Sequence, residues 1–167
     1  MLVTIALLAL LISLAIPTMG ETLRSWRRDS ATRSIMTSLQ LARTESIKSS
    51  RQVVVCPSSN GTACVAANEW RNGWLVFVDD GAGTPSNANN QVLNLNERIL
   101  QVVTAPGGIA SMTTSGGVQL MQFLPNGLMV TTATTLTVTP TGATTSTKVD
   151  KIGVSRVGRV NVVTELP

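Results

Sequence analysis

Cys56 and Cys64 are the only thiols in the chain, and seven residues separate them. Pro57, Asn60 and Gly61 lie between, and a turn-rich loop of that length brings two Cα atoms within disulfide reach. Closing it stabilises the fold by about 2–3 kcal/mol in the chain-entropy view. The bland alternative is a pair of unbonded buried thiols. A nucleophilic or redox cysteine would need a neighbour that makes thiolate, and the sequence contains no His at all. A disulfide would place this part of the chain in an oxidising compartment.

Other residue types capable of chemistry are sparse. Asp79 and Asp80, with Asn87, Asn89 and Asn90 downstream, offer oxygen ligands for Ca²⁺. They lack regular ligand spacing and a bidentate Glu, so a polar turn is the better reading. As an acid–base pair, adjacent carboxylates on a strand point to opposite faces, and no nucleophile with a base accompanies them. Without His there are no triads and no His-ligated zinc. The residues call for no cofactor, no metal and no small-molecule substrate, and an enzyme is not expected. Lys148, Lys151, Arg156 and Arg159 form a basic cluster opposed only by Asp150 within that interval. If residues 152–155 and 159–163 are paired strands, Gly158 falls in their connecting turn and exposes Arg156 and Arg159. Such cations contact phosphates with little sequence preference. The competing reading is a hairpin edge kept from aggregating by charge. Trp70 and Trp74 read as core or loop anchors.

Positioning these residues falls to a chain of 167 residues, enough for one ordinary domain plus an attached segment. Three Trp and two Phe, with no Tyr, leave an aliphatic core. Charged residues are 13% and apolar ones 43%, an unusual balance for a free soluble protein. The excess is concentrated at the start, where Leu2 to Gly20 carry no charge. As a helix this run spans about 28 Å, close to a bilayer's hydrocarbon core of about 30 Å. Leu2, Ile5, Leu8, Leu11, Ile16 and Pro17 are its marker positions as a membrane helix. A cleaved secretion signal is the competing reading, but no Lys or Arg precedes the run and no small-residue cleavage site follows it.

The helical pattern continues beyond Gly20. Leu23, Trp26, Ser30, Ile35, Leu39, Ala42 and Ser46 recur at three- and four-residue spacing, with Arg24, Arg28, Arg43 and Lys48 largely off that stripe. One helix is expected over about residues 2 to 50, its first half apolar throughout and its second half amphipathic. The basic run at Arg24, Arg27, Arg28 and Arg33 reads as a solvated face, with anionic lipid headgroups as the sharper alternative. After Arg51 the pattern becomes β-like. Strands are expected at 52–56, 74–78, 92–95, 99–103, 118–123, 135–138, 152–155 and 159–163, with Gly-, Pro- and Asn-rich turns between them. Ten Thr occupy the 17 residues from Thr131 to Thr147. The division is then 1–20 for the membrane half of the helix, 21–51 for its amphipathic half and 52–167 for a β-rich head. The fold class is α+β, a long helix followed by an antiparallel β domain.

Three stretches carry a family resemblance. The opening MLVTIALLALLISLAIP resembles a pilin N-terminal helix up to its characteristic proline, Pro17. LARTESIKSSRQVVVCPS, residues 41–58, is similar to the family's helix end and first strand. Cys64 followed by EWRNGWLVFVD, residues 69–79, resembles its Cys and Trp-x-x-Gly-Trp pattern. The family is the FimT/GspH group of type IV minor pilins and type II secretion pseudopilins. The resemblance implies an inner-membrane helix that later packs laterally against other major or minor pilins, or pseudopilins, in a filament. It also implies a periplasmic head, which agrees with the disulfide. Family precursors carry a basic leader and a Gly-Phe-Thr-Leu-Ile-Glu processing site; codons upstream of Met1 are expected to encode them, and such a leader would set the helix orientation despite Arg24, Arg27 and Arg28. Some members resemble DNA receptors for natural transformation and use a C-terminal Gly-Arg-x-Arg motif. Here Gly158-Arg159-Val160-Asn161 matches the first two positions and has Asn161 at the last. Double-stranded DNA is thus an implied partner, with Lys148, Lys151, Arg156, Gly158 and Arg159 as candidate contacts. A minor pseudopilin of a type II secretion system is the alternative, since it shares every motif.

Overall fold

The computed structural model describes residues 2–82 and 84–167, with backbone alone at residue 2 and residues 6–19. Helix α1 runs from Leu2 to Ser49, about 72 Å at the usual rise. No Gly or Pro interrupts it between Glu21 and Arg51, and Ser50 ends it at φ 53°. Ile5 is exposed. The side chains of Leu2, Leu8, Leu11, Ile16 and Pro17 lie outside the described residues, so the expected membrane positions are untouched by side-chain observations. Among the described residues, no helix is long and apolar enough to cross a membrane.

Eight strands follow: β1 Gln52–Pro57, β2 Gly73–Asp79, β3 Ile99–Thr104, β4 Ile109–Thr114, β5 Met121–Phe123, β6 Thr134–Pro140, β7 Val149–Val154 and β8 Val160–Glu165. They form two antiparallel four-stranded sheets, ordered β3-β2-β1-β5 and β4-β6-β7-β8. Two expectations fail. Residues 92–95 form no strand: Asn90, Asn94 and Glu97 draw that segment into side-chain-bonded turns instead. The segment at 118–123 pairs only over its last three residues. Conversely β4 is a strand that the weakly apolar IASMTT did not announce.

The two sheets read differently because they are buried differently. Val53, Val55, Trp74, Val76, Met121 and Phe123 of the first sheet meet Ile35, Leu39 and Ala42 of α1 in the main core. Its opposite face, at Val54, Cys56, Leu75 and Phe77, is covered by Cys64, Leu93 and Leu120. With both faces covered, β1 and β2 are continuous apolar runs. In the second sheet β6 alternates: Thr134, Leu136 and Val138 are buried, while Thr135, Thr137 and Thr139 are partly open. The Thr-rich stretch is therefore the half-wet face of a one-sided sheet.

The buried helix stripe is Arg28, Ala31, Thr32, Ile35, Ser38, Leu39, Ala42 and Ser46. This corrects the expected one at its N-terminal end. Leu23 and Trp26 are exposed, and Arg28 turns inward. Trp70 and Trp74 are fully buried, and Trp74 Nε1 donates to Ser38 Oγ at 2.8 Å, which satisfies the indole N–H against α1.

Candidate functional site

The β7–β8 hairpin carries the candidate basic residues, and its two ends differ. At the open end, Arg28 of α1 reaches Asp150 of β7, its Nε 3.0 Å from Oδ1. Nη1 of Arg28 donates to the Lys148 carbonyl at 3.0 Å, and Nη2 to Asp29 Oδ1 at 2.7 Å. Thr32 Oγ1 and Thr164 Oγ1 donate to the two Asp150 oxygens at 2.7 and 2.8 Å. Asp150 is 3% and Arg28 9% exposed, so the pair is a buried one, with each Asp150 oxygen accepting from a threonine hydroxyl and the guanidinium also held by Asp29. A pair in such surroundings costs little while complete and a great deal once halved. It fastens α1 to the second sheet. Asp150 is therefore spent on Arg28 and does not oppose the surface cations, contrary to the count along the sequence.

Lys151 Nζ lies 2.5 Å from Glu165 Oε1 across the hairpin. Lys148 is exposed. Both sit at or near this end, and β7 separates Lys148 from the turn by six residues, about 20 Å. The structure does not bring Lys148 or Lys151 together with the other two cations.

The turn at residues 155–159 brings Arg156, Gly158 and Arg159 together. Ser155 N–H donates to Arg159 O at 3.0 Å and Gly158 N–H to Ser155 O at 2.8 Å. Ser155 Oγ also accepts from Arg159 N–H. Gly158 has φ +71°, and a Cβ there would lie 2.5 Å from the Gly127 carbonyl oxygen; only glycine fits without a shift. Arg156 and Arg159 are exposed, and neither has an ion pair among the described residues. Arg43 of α1 stands beneath, its Nη1 donating to Gly158 O at 3.0 Å, while Met129 N–H donates to Arg156 O at 2.8 Å. Sequence reasoning missed Arg43. Its position next to Ala42 and one turn after Leu39 was the available signal, but nothing local links it to a residue 115 positions away.

Cys56 and Cys64 form a disulfide with Cα atoms 5.6 Å apart. It borders an apolar groove of about 250 Å³ with Val65, Val92, Leu93 and Leu120. Asp79 is buried and accepts from the N–H groups of Asn90 and Gln91 at 3.2 and 2.7 Å. Burial pushes its carboxyl above the ordinary 3.8; the backbone donors oppose that and the nearby Glu97 adds to it. Glu97 itself is held by Gly81 N–H and Asn94 N–H. These two acids brace the loop over the first sheet, and among the described residues no acid or thiol group clusters as a metal site.

A helix of this length on a disulfide-tied double sheet matches what the sequence motifs implied. Residues 31–158 match the family model for type II transport protein GspH. The chain belongs to this family. Among solved structures, the GspH-family chain is similar to the type IV minor pilin FimU of Pseudomonas aeruginosa strain PAO1. The two share 16% identity and a TM-score of 0.60 over 84% of this chain and 92% of that one. It is also similar to the minor pseudopilin EpsH from the Type 2 Secretion System of Vibrio cholerae, at 13% identity and a TM-score of 0.55 over 82% and 96%. At these identities the likeness is one of fold. A comparison with curated protein sequences finds no match. The family is one of structural pilin and pseudopilin subunits, and the type IV pilin-like α+β fold is the one present here.

Proposed function

We propose that this GspH-family chain is a minor pilin that takes part in assembling or priming a type IV pilus. The observation that carries the reading is the helix: 48 residues long, with Arg28 the first buried residue among those whose side chains are described. The uncharged run Leu2–Gly20 precedes that stripe in the sequence. In this reading residues 1–20 sit in the inner membrane as a single pass. Residues 21–51 form the periplasmic half of the helix, and residues 52–167 the head. The same apolar surface then exchanges lipid for neighbouring pilin helices at little hydrophobic cost. The disulfide accords with a periplasmic head.

The finer part of the proposal concerns DNA. Arg156 and Arg159 on the turn, buttressed by Arg43, contact phosphates of double-stranded DNA during natural transformation. Asn161 stands where the related motif has a second Arg, so the site is weak and salt-sensitive. Lys148 and Lys151 are the outer contacts of the original cluster, and their separation from the turn makes them secondary.

The family's description favours a second reading, a minor pseudopilin of a type II secretion system. Deleting the gene in its native host separates the two. Loss of surface pili, with protein secretion intact and pili restored by the wild-type gene, is the expected result. Loss of secretion with normal piliation would establish the second reading instead. For the DNA part, Arg156→Ala plus Arg159→Ala should lower transformation while piliation stays normal; unchanged transformation removes that part alone.

A further inference from the structure

Two sheets have four edge strands, and the chain treats them unequally. The outer edge of β4 is occupied by the segment before β2. Asn68 Nδ2 donates to Thr114 O and Asn68 Oδ1 accepts from Thr114 N–H, while Glu69 Oε1 accepts from Met112 N–H. Trp70 N–H donates to Met112 O, and Arg71 Nη1 to Ala110 O. The edge of β5 is met by residues 128–130, through a Phe123–Met129 bridge and Val130 N–H donating to Gln122 O. β3 is interrupted by a bulge opposite Val76 and Phe77. β8 has none of these protections.

β8 pairs with β7 in an unbroken register over all six residues. Five of the six, all but Val160, are exposed. The Ser155–Arg159 backbone bond fixes the phase of the ladder, because antiparallel pairs alternate between bonded and non-bonded. Asn161 and Val163 therefore turn their backbone groups toward Gly153 and Lys151. The N–H and C=O groups of Val160, Val162 and Thr164 point away from the sheet, and no described residue meets them. The strand holds no Pro, no Lys and no bulge, the usual devices that keep an edge from pairing. Its charges lie at its ends. Arg159 and Arg156 stand unpaired at the start, and Glu165 at the finish is neutralised by Lys151.

We propose that β8 is an open docking edge that receives an extended segment of another subunit of the same filament. That segment adds a fifth strand to the second sheet and places a carboxylate beside Arg159. The backbone ladder requires an extended occupant, and alternate side chains beside Val162 and Val163 favour β-branched residues on it. A second copy is the wrong occupant: antiparallel pairing of β8 with itself relates the copies by a two-fold axis perpendicular to the sheet, which would send their α1 helices in opposite directions. The inference rests on membership of a filament family; it needs the β8 edge and not DNA binding, although Arg159 is common to both.

The test uses the full chain in its native host with its companion subunits present. A photo-crosslinking phenylalanine analogue replaces Val163, and the products are mapped by peptide mass spectrometry. The expected product joins position 163 to one extended segment of a different pilin-class subunit. Val162→Pro removes an outward N–H while leaving the β7 ladder intact, and should lower the crosslink yield about tenfold, the equivalent of one lost hydrogen bond. Val162→Lys retains the backbone but guards the edge and should do likewise, which covers the case in which the proline variant fails to fold. Both leave Arg156 and Arg159 in place, so duplex binding should persist. Crosslinks to a second copy, crosslinks to a helix, no crosslink to any subunit, or a yield unchanged in both variants would overturn the proposal.

Discussion

The two ends of the β7–β8 hairpin hold similar cations and put them to opposite uses. At the open end Arg28 is paired with Asp150 and Lys151 with Glu165, and Lys148 alone is exposed without an ion pair among the described residues. At the turn end Arg156 and Arg159 are exposed without ion pairs among the described residues, and the only guanidinium that is engaged, Arg43, holds a backbone carbonyl. Exposure and partnering, not the number of positive residues, separate a fastening from a contact surface. One end attaches the head to its helix; the other is left to meet something else.

Asp150→Ala is the strongest way to break this contrast. It would leave Arg28 charged and buried with only the part-exposed Asp29 as ion-pair partner, and should cost up to about 3–5 kcal/mol in denaturant unfolding of the full chain. A loss below about 1 kcal/mol, the range of an exposed pair, would mean the open end is not a fastening at all. Gly158→Ala attacks the other end. The left-handed backbone and the close Gly127 carbonyl predict a loss of about 1–3 kcal/mol, together with weaker presentation of both arginines. A wild-type melting curve for that variant would show that the turn is not held as described.

A buried acid without a cation sharpens the comparison further. Asp79 has backbone donors and a neighbouring Glu97 where Asp150 has Arg28. Because burial raises the folded-state value of Asp79 above 3.8, the folded state binds that proton more tightly than the unfolded one. Its contribution to stability is then most favourable near and below pH 3.8 and is lost as pH rises through the folded value. The stability difference between wild type and Asp79→Asn should accordingly shift in favour of wild type on acidification from neutrality. Denaturant midpoints that run parallel across that range would refute the assignment. The smallest stability effect belongs to Arg156→Ala plus Arg159→Ala, expected within about 0.5 kcal/mol of wild type.

What could be read from the sequence follows the range of the interactions involved. The helix was legible because a long stretch without Gly or Pro carries its own periodicity, and β1 and β2 because both faces are buried and the runs are continuous. Residues 92–95 misled because Val92, Leu93 and Leu95, three apolar residues in four, look like a strand when the bracing acid, Glu97, is not recognised. β4 was hidden because its partners, from Asn68 to Arg71, satisfy its edge from some 40 positions away. The basic cluster was drawn too wide for a related reason. Along the chain Lys148 and Arg159 are close, but on a hairpin they occupy opposite ends. Arg28 looked like part of a solvated basic face, since its partner Asp150 lies far along the chain and only the fold joins them.

The most direct test of the contrast is a salt-dependent titration of fluorescent duplex DNA against the full chain in lipid nanodiscs, with wild type, Arg156→Ala plus Arg159→Ala, and Lys148→Ala plus Lys151→Ala compared. The account predicts weak binding that falls steeply with salt. The arginine pair should weaken it sharply and reduce the log–log salt slope by about two contacts' worth, while the lysine pair changes it little. Binding that is undiminished by loss of both arginines, or that depends on the two lysines instead, would contradict the account.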